Sequence, residues 1–300
     1  MSLEQINGWL AELGLPVGDP AVAESSTLRF ADGGHYKWEV AGALDAPSVS
    51  RLVELLAEHG VKLHQMTNTV GTMRYLDAQV TALVETCRAH GIQLRMAVGP
   101  RGLFDIGGQK FASSGVAAAS AYRLRGADAL RTGVDDVLHA IGLGVKGFLV
   151  FDEGLLSVLD GLRTAGRIPA GIRLKASSNM GAANPAHTRL LAETGADSVN
   201  LQRDLDVRMI AAVRAATTVA LDLHTDNPAA TGGFVRGYDI GEMVRVASPV
   251  YLKTGNAAQN FSDTAPSERE LAAIVQQLLL DAQLLNRLFP DATASDNPEF

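Results

Sequence analysis

Residues 219–226 read VALDLHTD, and residues 250–256 read VYLKTGN. Each opens as an apolar run about one strand long and closes on polar side chains. Side chains two apart lie on the same face of a strand. Ala220, Asp222 and His224 therefore share one face, and Leu221 and Leu223 share the other. In the second run Tyr251 goes with Lys253, and Val250 with Leu252. Such strands suit a sheet whose apolar outer side packs on helices and whose polar inner side opens on a site. Six further runs precede these two: YKWEV at 36–40, VKLHQ at 61–65, QLRMAV at 93–98, GFLVF at 147–151, GIRLK at 171–175 and SVNL at 198–201. Most are separated by enough chain for a helix. Strands alternating with helical segments predict a parallel sheet. Eight such units in one α/β domain predict a closed (β/α)8 TIM barrel with its site at the C-terminal strand ends.

The connecting segments agree. Residues 48–59 and 76–90 carry apolar side chains at helical spacing, and Gly60 and Gly91 follow them as stops. Gly144 and Gly195 mark two further helix exits. Residues 1–30 read as an N-terminal helical extension, in which Leu3, Ile6, Leu10 and Leu13 predict a short helix across the barrel bottom. Residues 31–289 make the barrel and its C-terminal helix, about 267–288, whose wide apolar stripe leaves a homodimer contact open. Residues 290–300 are polar and are expected to be disordered. Residues 99–115, GPRGLFDIGGQKFASSG, form a glycine-rich loop of the length of a lid or binding loop, and a helix is expected at 116–130.

Hydrophobic residues make up 47% of the 300 and charged residues 20%, an ordinary globular balance. The formal net charge of −7 argues against nucleic acid or an anionic membrane surface as a partner. No apolar run reaches the roughly 18 residues of a membrane span. The first residues lack the basic segment of a signal peptide, so the cytoplasm is the expected location. Cys87 is the single cysteine, which leaves no intramolecular disulfide and no Cys-ligated iron–sulfur cluster.

The inner ring carries the candidate chemistry. Glu39, His64, Asp152, Lys175, Asp222 and His224 sit at or just past run ends, as catalytic candidates. A ring this polar inside a barrel is costly unless it is hydrogen-bonded or used. Lys175 stands foremost: a desolvated lysine loses its proton more easily and can serve as a Schiff-base nucleophile or base. On this reading Lys175→Ala costs activity and not stability, whereas a buried ion pair with Glu39 or Asp152 would add a large loss of stability to the lost activity. Asp222 and His224, with Asp226 beyond them, also fit an open divalent-metal site, although His224 fits acid–base work better. For substrate binding the candidates are Lys253, Asn200, Gln202, Ser177, Asn179, Arg101, Gly232, Gly233, Arg236 and Asn256. Two cations together suit a substrate carboxylate or phosphate, and glycine loops after the last two strands suit phosphate.

FDEGLL at 151–156, KASSNMGAANP at 175–185, GADSVNLQRDL at 195–205, GGFVRGYDIGEMVRVASPVYLKTGN at 232–256 and GHYKWEV at 34–40 resemble barrel proteins grouped with peptidase family U32. The resemblance implies the barrel and a hydrolase acting on a peptide or other small polar substrate. The cysteine-rich segment and the Glu-x-Phe-x-His-Gly segment of better-known members are absent, so no catalytic residue carries over. Three readings stay open: a U32-like hydrolase, an aldolase-like lyase using Lys175 or Lys253, and a non-catalytic small-molecule binder.

Overall fold

A computed structural model describes residues 2–101, 122–228, 233–259 and 264–299. Eight parallel strands close into a barrel: β1 (Tyr36–Gly42), β2 (Gln65–Asn68), β3 (Gln93–Ala97), β4 (Gly147–Val150), β5 (Arg173–Ala176), β6 (Ser198–Asn200), β7 (Ala220–His224) and β10 (Val250–Lys253). A two-stranded antiparallel ribbon, β8 (Asp226–Asn227) and β9 (Phe234–Val235), follows β7. The helices are α1 (Leu3–Glu12), α2 (Ala46–Ala57), α3 (Asp77–Ala89), α4 (Gly126–Gly142), α5 (Glu153–Thr164), α6 (Pro185–Glu193), α7 (Val207–Ala215), α8 (Ile240–Ala247) and α9 (Glu268–Leu288). The predicted (β/α)8 TIM barrel is the fold observed.

Alternation sorts the side chains as the sequence implies. Val40, Val199, Leu221, Leu223 and Leu252 point outward and join one buried core with Leu52, Leu83, Leu156, Ile274 and Leu278 of the helices. The ends of the helices are set by local chemistry. Asp45, Asp152, Asn184, Asp206 and Ser267 each accept a backbone N–H three residues on, the bond that satisfies a free helix N-terminus. Gly60, Gly91, Gly144 and Gly195 follow helices with positive φ, as read from the sequence.

The structure differs from the sequence reading in four places. The second strand is QMTN at 65–68, not 61–65. Its inward side chains, Gln65 and Thr67, are polar, so no apolar run announces it. The expected helix at 116–130 lies partly outside the described residues, and α4 begins only at Gly126. α1 has no buried residue. The segment after it is held at the side of the barrel, where Arg189 of α6 donates to the Leu13 carbonyl and Arg208 of α7 to the Pro20 carbonyl. The bottom is covered instead by residues 293–299, which were expected to be disordered. Ala294 bridges Tyr36 in parallel, and the Ser295 N–H donates to the Tyr36 carbonyl over 2.8 Å. Ser295 lies so close to Gly34 that a Cβ there would sit 2.5 Å from its backbone. No described helix is long and apolar enough to cross a membrane.

Candidate active site

The barrel interior is charged in its middle layer. Lys175 Nζ lies 2.5 Å from Glu39 Oε2 and in contact with Asp222 Oδ1, and all three side chains are fully buried. Glu39 also accepts from Gln65 Nε2 at 2.7 Å and Thr67 Oγ1 at 2.8 Å. Burial alone would raise the Glu39 carboxyl, but the Lys175 and Lys253 ammoniums outweigh it and hold the group well below the usual carboxylate range. Asp222 moves the other way: burial and the Glu39 charge push it up against the pull of Lys175. Lys175 is thus enclosed by carboxylates, with the Tyr251 ring centroid 5.4 Å from its Nζ. It does not line the cavity above it.

That cavity, about 150 Å³, opens at the C-terminal ends of the strands. Lys253 and His224 form part of its floor, side by side on paired strands. Lys253 Nζ stands 3.4 Å from Glu39 Oε1 and makes no shorter ionic contact among the described residues. Burial brings its ammonium down from the ordinary lysine value to about 8, with Lys175 assisting and Glu39 opposing. His224 is driven well below its ordinary value by burial, with the Lys253 charge adding to it, so the imidazole is neutral. Above the floor, Asn200, Ser177, Asn179, Asn256 and Arg101 line the walls, as the strand-end reading anticipates. Tyr122 stacks on Phe151 at 5.2 Å between centroids, and the Arg101 guanidinium lies 5.2 Å from the Phe151 centroid. Arg101 also donates to the Thr69 carbonyl at 2.7 Å and to that of Val70.

Among the described residues, four buried polar atoms on cavity-lining residues have no hydrogen-bond partner: Asn200 Oδ1, His224 Nδ1, Asn256 Oδ1 and Arg203 Nε. Burying a polar group without a partner is costly. Arg203 and Arg74 were not singled out in the sequence, yet both line the cavity. Arg203 stands three residues past Asn200 at the end of β6, and that position was the available signal.

Several candidates lie elsewhere. With β2 beginning at Gln65, His64 sits at the bottom of the barrel; its Nδ1 accepts the Trp38 N–H at 3.0 Å and its Nε2 lies 3.4 Å from Asp296. Asp152 is the N-cap of α5, accepting from Leu155 and Leu124 N–H groups. Gln202 donates to the Ser178 carbonyl outside the cavity lining. Arg236 is a strut, donating to the Leu205 carbonyl at 2.6 Å and pairing with Asp239 at 2.8 Å. The Gly233 N–H donates to the Pro228 carbonyl in the turn before β9. Gly232 and most of the 99–115 loop lie outside the described residues. Among the described residues no three His, Cys, Asp or Glu side chains group as metal ligands, and the Asp222 carboxylate proposed for that role is turned to Lys175.

No protein-family model matches the chain, and no curated protein does. Solved structures resemble it distantly. The YdjI aldolase from Escherichia coli K12 is 14% identical, with a TM-score of 0.47 over 86% of this chain and 93% of that one. The thiamine phosphate pyrophosphorylase from Pyrococcus furiosus is 11% identical, with a TM-score of 0.48 over 84% and 98%. The U32 peptidase Mk0906 is 15% identical, with a TM-score of 0.41 over 82% and 98%. At these identities the likeness extends to the architecture alone, and the resemblance to the U32 group stands at the level of the barrel.

Proposed function

We propose that the chain is a lyase-type enzyme that binds a small anionic carbonyl compound and forms an imine with Lys253. The observation that carries this is the placement of the Lys253 amine. It is buried, its pKa is lowered to about 8, it opens on the cavity, and its neighbour His224 is neutral. A lysine desolvated in this way is a nucleophile near neutral pH. The amine adds to the carbonyl carbon, the carbonyl oxygen takes up a proton from solvent and leaves as water, and an iminium remains. The iminium draws in the electron pair of the adjacent C–C or C–H bond. His224 accepts the proton released from the fragment or the α-carbon. The enamine left behind takes that proton back from His224 at carbon, which restores an iminium, and water adds to it to release the carbonyl product, the free amine and a proton. Arg203, Arg74 and Arg101 supply positive charge for an anionic substituent at the cavity wall.

The hydrolase reading needs a carboxylate or metal to activate water at the cavity. Glu39 and Asp222 are both directed at Lys175 beneath it, which disfavours that route. The test is borohydride reduction with a panel of 2-oxo acids and sugar phosphates, followed by peptide mass mapping. A reduced adduct on Lys253 is expected with at least one of them. Labelling confined to exposed lysines, unchanged in Lys253→Met, would remove imine chemistry from this cavity.

A further inference from the structure

A second polar cavity lies at the opposite end of the barrel, about 130 Å³ in volume, lined by Arg95, Arg173, Ser198, Tyr251, Asp197 and Glu299. Arg95 projects from β3 into the interior and is 4% exposed. Its one hydrogen bond runs from Nη1 to the carbonyl of its neighbour Leu94, and no carboxylate lies within ion-pair distance of it among the described residues. The barrel wall makes room for it. A Cβ on Gly147 of β4 would stand 2.4 Å from Arg95 Nη1, so the guanidinium lies across bare backbone. Arg173 has a buried Nε with no partner and a long 3.4 Å contact to Asp197, whose nearer partner is Arg163 at 2.7 Å. Glu299 reaches the same cavity but accepts from the Tyr251 hydroxyl at 3.0 Å and pairs with neither arginine.

A buried guanidinium without a counter-charge is among the costliest groups a core can hold. Arg95 is such a group, and it faces this polar cavity beside the Ser198 hydroxyl and the partly exposed Arg173, whose counter-charge on Asp197 stands at 3.4 Å. We propose that this lower cavity is a binding site for a small oxyanion, of phosphate or carboxylate type, held between Arg95 and Arg173. Its volume of about 130 Å³ and its polar lining leave room for such an ion. The fork of a guanidinium matches the oxygens of either anion, and Ser198 can add a hydroxyl contact. The site is separated from the upper cavity by the Lys175 layer, so it does not depend on the imine chemistry.

The experiment is thermal unfolding and titration calorimetry of the full chain with inorganic phosphate, and in parallel with acetate, at constant ionic strength. A ligand that binds the folded state alone raises Tm in a saturable way. One equivalent of phosphate or acetate is expected to bind, and whichever binds names the anion class. Arg95→Met is expected to weaken that binding roughly tenfold or more, and Arg203→Met in the upper cavity to leave it unchanged. Arg173→Gln, at the partly exposed rim, serves the same purpose should Arg95→Met fail to fold. Glu299→Gln is expected to tighten binding by removing a competing negative charge. The proposal is overturned if neither anion binds to the wild type, if binding survives Arg95→Met and Arg173→Gln, or if Arg203→Met abolishes it.

Discussion

Lys175 and Lys253 enter the same barrel from β5 and β10, and their surroundings differ in kind. Lys175 is clamped between Glu39 and Asp222 and does not line the cavity. Lys253, at the cavity floor, has one looser contact, 3.4 Å to the same Glu39. Glu39 therefore serves as a counter-ion to the first lysine and a weaker restraint on the second. Burial lowers the pKa of Lys253 because nothing fully repays its desolvation. On the function proposed, a lysine kept for structure and a lysine available for chemistry stand one layer apart. Counting charged residues at strand ends does not separate them. What separates them is how many carboxylates each one faces and whether open space adjoins its amine.

The largest expected effect falls on Lys253. Lys253→Met should leave the barrel folded while abolishing borohydride trapping, and any turnover should drop by about 10⁴-fold or more, as when a covalent nucleophile is removed. The pH dependence has a definite sign. The free amine is the nucleophile, and it is the minor form below about 8. The trapping rate should rise nearly tenfold for each pH unit up to about 8 and then level off. A rate that is flat from pH 6 to 9 would contradict the assignment.

Lys175 should show the converse. Removing one partner of a buried ion cluster leaves charge unpaired and costs about 3–5 kcal/mol. Lys175→Met should accordingly unfold at a Tm lower by roughly 6 °C or more, and the added substitutions Glu39→Gln and Asp222→Asn should recover part of that loss. This reverses the expectation drawn from sequence, in which Lys175 was the residue spared for chemistry. A Lys175→Met protein that melts like wild type and no longer traps substrate would restore the earlier view and dissolve the contrast between the two lysines.

The strands of the barrel were legible wherever one face was apolar, as at Leu221 and Leu223 or Val250 and Leu252. The same alternation correctly turned Asp222, His224, Asn200 and Lys253 inward. It failed at β2, where Gln65 and Thr67 point into the charged layer and Val61 and Leu63 precede the strand. That four-residue slip moved His64 from the top of the barrel to the bottom. Asp152 failed for another reason. A carboxylate just past a strand end reads alike whether it faces a cavity or caps the next helix, although the Glu-Gly-Leu-Leu that follows favours the cap. The ordering of residues 293–299 and the approach of Arg203 and Tyr122 to the cavity depend on contacts between distant segments, which no local pattern encodes.

Arg203 gives the next effect in size. Its Nε is buried at the cavity wall without a partner among the described residues, and burial lowers its pKa, with Tyr122 opposing. A charged hydrogen bond to a substrate anion is worth about 1.5–3 kcal/mol. Arg203→Met should therefore raise KM about 10- to 100-fold with little change in Tm, and the loss should be largest for the most highly charged substrates. An equal loss for neutral and anionic carbonyl compounds would mean that Arg203 shapes the cavity and does not read charge.

The smallest effect should come from Asp152, and it tests whether the site ends where the cavity ends. Asp152 stands just past the top of β4, but it spends its oxygens on backbone N–H groups, Oδ1 on Leu155 at 2.8 Å and Oδ2 on Leu124 at 3.1 Å. Replacing an N-cap carboxylate by alanine costs about 0.5–2 kcal/mol. Asp152→Ala should lower Tm by a few degrees and leave both the trapping rate at Lys253 and its pH profile unchanged. Asp152→Asn, which keeps an oxygen for the Leu155 N–H, should recover most of the stability. If Asp152→Ala instead slows trapping while Asp152→Asn does not, the α5 N-terminus helps to hold the cavity in shape, and the boundary between scaffold and site runs one helix further out than the lining residues suggest.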